Sequence, residues 1–134
     1  YYIINNMITE ILSGIYIGDE TVLLDRDVYT NNSIDIIINL TNNYQFLDID
    51  IKKIKVPIKN FVDYKDKYIQ LLNYIRKHFL NHNILICSEE QYHTLTAALF
   101  LINFGKIPDY DVKSILKNKN DELVLDYDLS IFKN

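Results

Sequence analysis

The stretch ILICSEEQYHTLTAALF, residues 84–100, decides the fold. An apolar run ends in Cys87, polar residues Ser88 to His93 follow, and TLTAALFLINFG (94–105) reads as an apolar helix stopped by Gly105. A strand that feeds a loop opening a helix can present backbone N–H groups and the helix N-terminus to an anion. This loop nevertheless holds two adjacent acids, Glu89 and Glu90, and no arginine.

Outward from that stretch, strand and helix signals alternate. IDIIINL (34–40) is nearly all apolar and β-branched, which predicts a strand buried on both faces. GIYIG (14–18) and IKKIKVPI (51–58) predict two more strands, the second ending near Pro57. DETVLLDRDVYT (19–30) reads as a helix with Asp19 as its N-cap. YKDKYIQLLNYIRKHFL (64–80) places apolar residues at 64, 68, 71, 72, 75 and 79, a helical stripe. Pro108 and Asp109 open a helix to about Asn118, and LDYDLSIFKN (125–134) predicts another. Strands separated by helices imply parallel pairing with right-handed crossovers. The expected fold class is α/β, a mostly parallel central sheet flanked by helices, with residues 1–134 as one domain.

Composition narrows the function classes. Hydrophobic residues at 49% and charged residues at 24% describe a globular chain rather than a disordered one. A net charge of −4, with no basic–aromatic strip, gives no reason to expect nucleic acid or an anionic membrane as partner. No apolar run approaches the roughly 18 residues of a membrane span, and YYIINNMITE (1–10) lacks the features of a signal peptide. A single cysteine cannot form an internal disulfide, which suits a reducing, cytoplasmic setting. No glycine-rich nucleotide loop is present, so no cofactor is expected. His78 and His82 have the spacing of two metal ligands on a helix, but no third ligand follows; helix C-terminal capping is the expected role, and no metal site is expected. Abundant Ile, Asn, Lys and Tyr reflect AT-rich codons, as in large DNA viruses or some protists.

Several segments together resemble the dual-specificity protein phosphatases, a branch of the cysteine-based phosphatases. ILSGIYIG (11–18) resembles their opening strand, IDIIINLT (34–41) the strand ending in Asn-Leu-Thr, and VPIKN (56–60) the segment leading to the general-acid aspartate. ILICSEEQYHT (84–94) falls on the His-Cys, five residues, Arg, Ser/Thr signature, and ELVLDYDLSIF (122–132) on the last helix and its approach. In that family the cysteine attacks phosphorus as a thiolate. Loop N–H groups cradle the phosphate, arginine clamps two of its oxygens, and the aspartate protonates the leaving oxygen.

The resemblance implies a role for each matching position. Cys87 takes the nucleophile position and Thr94 that of the hydroxyl assisting thiol departure. Ser88, Glu89, Glu90, Gln91 and Tyr92 are the loop, His93 stands in place of the arginine, Ile86 in place of the histidine, and Asn60 in place of the acid. Loss of an oxyanion-stabilising group costs roughly 10²–10³ in rate, and loss of a general acid about 10²–10⁴. The glutamates add negative charge where a dianion should bind and disfavour the thiolate. Taken singly, Cys87 reads as a small buried hydrophobe, His93 as a base for the thiol lacking an orienting third group, and Asp63 as a substitute acid if its loop is shifted.

The resemblance therefore implies a degenerate member of the family, a pseudophosphatase with no functional catalytic residue, serving as a protein-binding or regulatory module through its loop cleft. The family's viral members suggest a poxvirus-like source, a host signalling or virion protein as partner, a location in the host cytoplasm or virion, and a homodimer as one assembly. Two other classes stay open. One is a weak or atypical phosphatase acting on phosphoprotein or RNA 5′-phosphate; the other is a structural, self-associating domain.

Overall fold

The computed structural model describes residues 8–132; the reading of residues 1–7 and the end of the helix expected over 125–134 lie outside the described residues. In chain order the elements are β1 (Thr9–Leu12), β2 (Ile15–Gly18), α1 (Glu20–Leu23), α2 (Arg26–Asn31), β3 (Ile36–Asn39), β4 (Lys52–Lys55), α3 (Phe61–His78), β5 (Ile84–Cys87), α4 (Tyr92–Asn103) and α5 (Asp109–Lys119). They form a five-stranded sheet in the order β1-β2-β5-β3-β4. Strands β2, β5, β3 and β4 run parallel, and β1 pairs antiparallel with β2.

The sheet is mixed because of β1, whose short TEIL sequence carries no clear alternating signal. A tight turn through Gly14, at φ +88°, joins it to β2, a backbone conformation that glycine adopts without a Cβ penalty.

Strand alternation divides the interior into two layers. Ile36 and Ile38 of β3, with Ile84 and Ile86 of β5, face a core built with Tyr64, Leu72 and Ile75 of α3 and Leu95 and Leu99 of α4. Ile37, Leu85 and Cys87 face the opposite layer, against Val22 and Leu23 of α1 and Val28 and Tyr29 of α2. Each of these aliphatic side chains contributes about 1.5–3 kcal/mol on full burial. The central strands β3 and β5 are buried along their whole length, whereas β4 is an exposed edge.

Three helices depart from the sequence reading. The segment 19–30 is two helices, because α1 ends at Leu23 and Asp25 caps α2, its Oδ1 accepting the Asp27 N–H at 3.1 Å. The helix α3 begins at Phe61 because Asn60 supplies an N-cap there. The C-terminal helix is reduced to a 3-10 turn, Leu129–Phe132. Among the described residues no helix is long and apolar enough to cross a membrane.

Candidate functional site around Cys87

Cys87 closes β5 between Gly18 of β2 and Asn39 of β3 in the strand register. Its carbonyl accepts the Leu40 N–H at 2.8 Å, and the Ser88 N–H donates to the Gly18 carbonyl at 3.3 Å. The pleat turns the thiol toward the α1–α2 layer, where it is 0% exposed. Gly18 makes this packing possible: a Cβ there would lie 2.6 Å from Val22 Cβ, so only glycine lets α1 settle so close. That approach brings Asp19, the cap of α1, and Glu20, in its first turn, near the sulfur.

Burial first, then the charges of Asp19 and Glu20, push the Cys87 thiol well above its ordinary pKa. Glu20 Oε2 is itself buried without a hydrogen-bond partner among the described residues. The low acidity expected for Cys87 from Glu89 and Glu90 has another cause in the structure: burial first, then Asp19 and Glu20.

Glu89 reaches the start of the β3–β4 connection. Its carboxylate accepts the Asn42 N–H at 2.8 Å and Asn43 Nδ2 at 2.9 Å. These contacts, the Asn42 amide foremost, hold it below the usual carboxylate range. It braces the loop against the β3–β4 connection. Gln91 ties the other side: its Nε2 donates to Asp126 Oδ2 at 2.7 Å, and its Oε1 accepts the Asp126 N–H at 2.7 Å. Tyr92 points inward and stacks on Tyr64, ring centroids 5.3 Å apart.

Ser88 spans the loop from within. Its Oγ donates to the Glu90 carbonyl at 2.8 Å and accepts the His93 N–H at 3.0 Å. It also lies 2.6 Å from His93 Nδ1. A hydroxyl has one proton, and the Glu90 carbonyl can only accept, so the arrangement is satisfied when Nδ1 carries a hydrogen and Nε2 is the bare nitrogen. Burial pushes the His93 imidazole down to about 4, the nearby Asp19 opposing in part. His93 is therefore neutral at pH 7.

Asn60, exposed at the start of α3, uses Oδ1 to accept the Asp63 N–H at 2.8 Å. Asp63 in turn accepts the Lys59 N–H at 2.9 Å and pairs with Lys67 at 3.1 Å. The Lys59 amide, then Lys67, lower its pKa, so the carboxyl has no proton to donate at neutral pH. Its expected alternative role as a substitute acid is not supported by this geometry. Thr94 is buried in the first turn of α4. His78 is the last residue of α3, so His82 lies beyond the helix, where its Nδ1 meets Asp35 Oδ2 at 3.2 Å. Of the two, only His78 lies in the last turn of α3, where the expected C-terminal capping role applies.

Together these elements enclose a cleft of about 270 Å³. Asp19, Glu90 and Glu122 line it with His93 and Thr94, Asn120, Leu123 and Val124 complete the wall, and among the described residues neither lysine nor arginine lines it. Cys87 is not part of the lining. Sequence reasoning missed the Ser88–His93 contact, the Gln91–Asp126 tie and the influence of Asp19 and Glu20 on the thiol. For the last, the adjacent Gly18 and Asp19 directly after β2 carried the signal.

No family model matches the chain, and no curated protein matches it either. Solved structures do. A crystal structure of DUSP15 superposes with TM-score 0.77 at 23% identity, over 87% of this chain and 78% of that one. A mouse putative dual specificity phosphatase complexed with zinc tungstate gives 0.73 at 7% identity, over 94% and 83%. The human tyrosine phosphatase-like serine/threonine/tyrosine-interacting protein gives 0.68 at 11%, over 90% and 88%. The chain thus has the fold of the dual-specificity phosphatases, with Cys87 and its loop at the end of the central strand β5.

Proposed function

We propose that this protein is a pseudophosphatase: it keeps the phosphatase fold, does not turn over phosphate esters, and binds a protein segment in the cleft beside its loop. The observation that carries this reading is the state of Cys87. A thiol attacks only as thiolate, and this one is fully buried in an apolar layer with two carboxylates raising its pKa. Its surroundings compound the effect. The His93 N–H, at the helix opening where an oxyanion would be held, is taken by Ser88 Oγ. His93 is neutral, and Asn60 and Asp63 are engaged in capping α3.

A cleft with three carboxylates and no cation suits a lysine- or arginine-bearing segment better than a phosphorylated one. One fold neighbour is named as an interacting, phosphatase-like protein, which accords with a binding role for this fold. An aryl phosphate assay tests the proposal: no turnover above buffer is expected, whereas turnover abolished by Cys87→Ser would establish an enzyme. Affinity capture with Glu90→Lys and Glu122→Lys as controls tests the cleft. Partner retention by both variants would remove it as the binding surface.

A further inference from the structure

The edge of the sheet farthest from β1 carries a feature unrelated to the cleft. Strand β4 pairs only with β3 among the described residues, so its other side is open. The Lys52 N–H donates to the Asp35 carbonyl at 3.1 Å and the Val56 N–H to the Asn39 carbonyl at 2.9 Å. In a parallel ladder the amides alternate, so the N–H and C=O groups of Lys53 and Lys55 point away from the sheet. Both residues are exposed.

The edge is also basic in an acidic protein. Lys52, Lys53, Lys55 and Lys59 fall within IKKIKVPIK, while the chain as a whole carries −4. Lysines on an edge discourage pairing with another neutral or basic strand, a second copy of this chain included. They attract an acidic one. Asp48 and Asp50 lie just upstream, so the attraction is strongest from Lys52 onward. Lys55 Nζ also reaches the Tyr44 carbonyl at 2.9 Å, which anchors that side chain beside the strand without neutralising it.

We infer that β4 is a docking edge for an extended acidic peptide segment of a partner protein, added to the sheet as a further strand. Main-chain hydrogen bonds to Lys53 and Lys55 supply the register, and the lysine ammonium groups select carboxylates over other side chains. This edge is separate from the cleft, so its occupation does not depend on whether the cleft binds anything.

The probe is a synthetic peptide of about ten residues alternating Glu and Val, the length of a long natural strand. Titrated into isotope-labelled protein, it should protect the Lys53 and Lys55 amides from hydrogen exchange and shift their resonances, leaving those of Glu90 and His93 in place. Affinity should fall roughly tenfold when Lys52→Glu and Lys53→Glu are combined, and fall again with added salt, as for any charge-steered contact. Lys53→Pro removes one outward donor and no ladder bond; it should weaken binding while leaving thermal unfolding nearly unchanged. Unprotected Lys53 and Lys55 amides in the wild-type protein at saturating peptide would overturn the inference. So would equal affinity for a peptide with Lys in place of Glu.

Discussion

At Cys87, burial, Asp19 and Glu20 all act in one direction on the thiol. Alkylation by iodoacetamide at about pH 8 should therefore be far slower than for an ordinary exposed cysteine. A thiol that reacts at the rate of free cysteine would contradict the buried geometry. Because the sulfur sits among Val22, Leu23 and Tyr29, Cys87→Ser places a hydroxyl in an apolar layer and should cost about 1–3 kcal/mol, read from urea unfolding. His93 offers a pH test with a definite sign. Its folded pKa of about 4 lies below the ordinary 6.5, so between those values the unfolded chain binds a proton that the folded chain does not. The stabilisation is complete above about pH 6.5 and is lost as the pH falls toward 4. The imidazole resonances should stay flat from about pH 8 to 5, and His93→Gln should flatten the dependence of urea midpoints across that window. At this scale the sequence spoke only in part. The identities of Cys87, Asn60 and His93 were readable from the motif, but Glu89 and Glu90 look alike in sequence and differ in the fold. Glu89 finds Asn42 and Asn43, 47 and 46 residues away, and only tertiary structure reveals that.

Elements place these residues, and caps and close approaches decide the placement. Asn60 caps α3, so Asn60→Ala should cost about 1 kcal/mol of stability. Asn60→Asp should keep the cap and confer no phosphatase activity, because the new carboxylate would be held by the Asp63 N–H; an aryl phosphate assay and thermal unfolding read the two outcomes. Gly18→Ala drives a methyl into Val22 and should destabilise by about 1–3 kcal/mol, displacing α1 and exposing Cys87 to alkylation. Strongly patterned elements were legible: the nearly all-apolar β3, the apolar β5 and the striped α3 each follow from their own residues. Others were not. The break between α1 and α2 depends on Asp25 capping against an otherwise continuous helical pattern, and β1 exists only because β2 offers it an edge.

For the whole molecule, the same sheet that exposes a basic edge at β4 carries an acidic cleft at the end of β5. The two surfaces carry opposite charge, so the segments proposed to dock at them differ in sign: basic in the cleft, acidic at β4. The cleft has no counterpart in charge to a phosphate dianion. His93→Arg alone should restore little activity, because Cys87 stays buried beside Asp19 and Glu20; recovery of rapid aryl phosphate turnover by that one change would show that the loop cation alone limits catalysis. The most direct measurement is calorimetric titration with tungstate at neutral pH and moderate salt, an oxyanion present in one structure of the same fold. No heat of binding is expected, and none should appear in Cys87→Ser. Saturable one-site binding of tungstate that is lost in Cys87→Ser would contradict the proposal that this pocket no longer holds a phosphate.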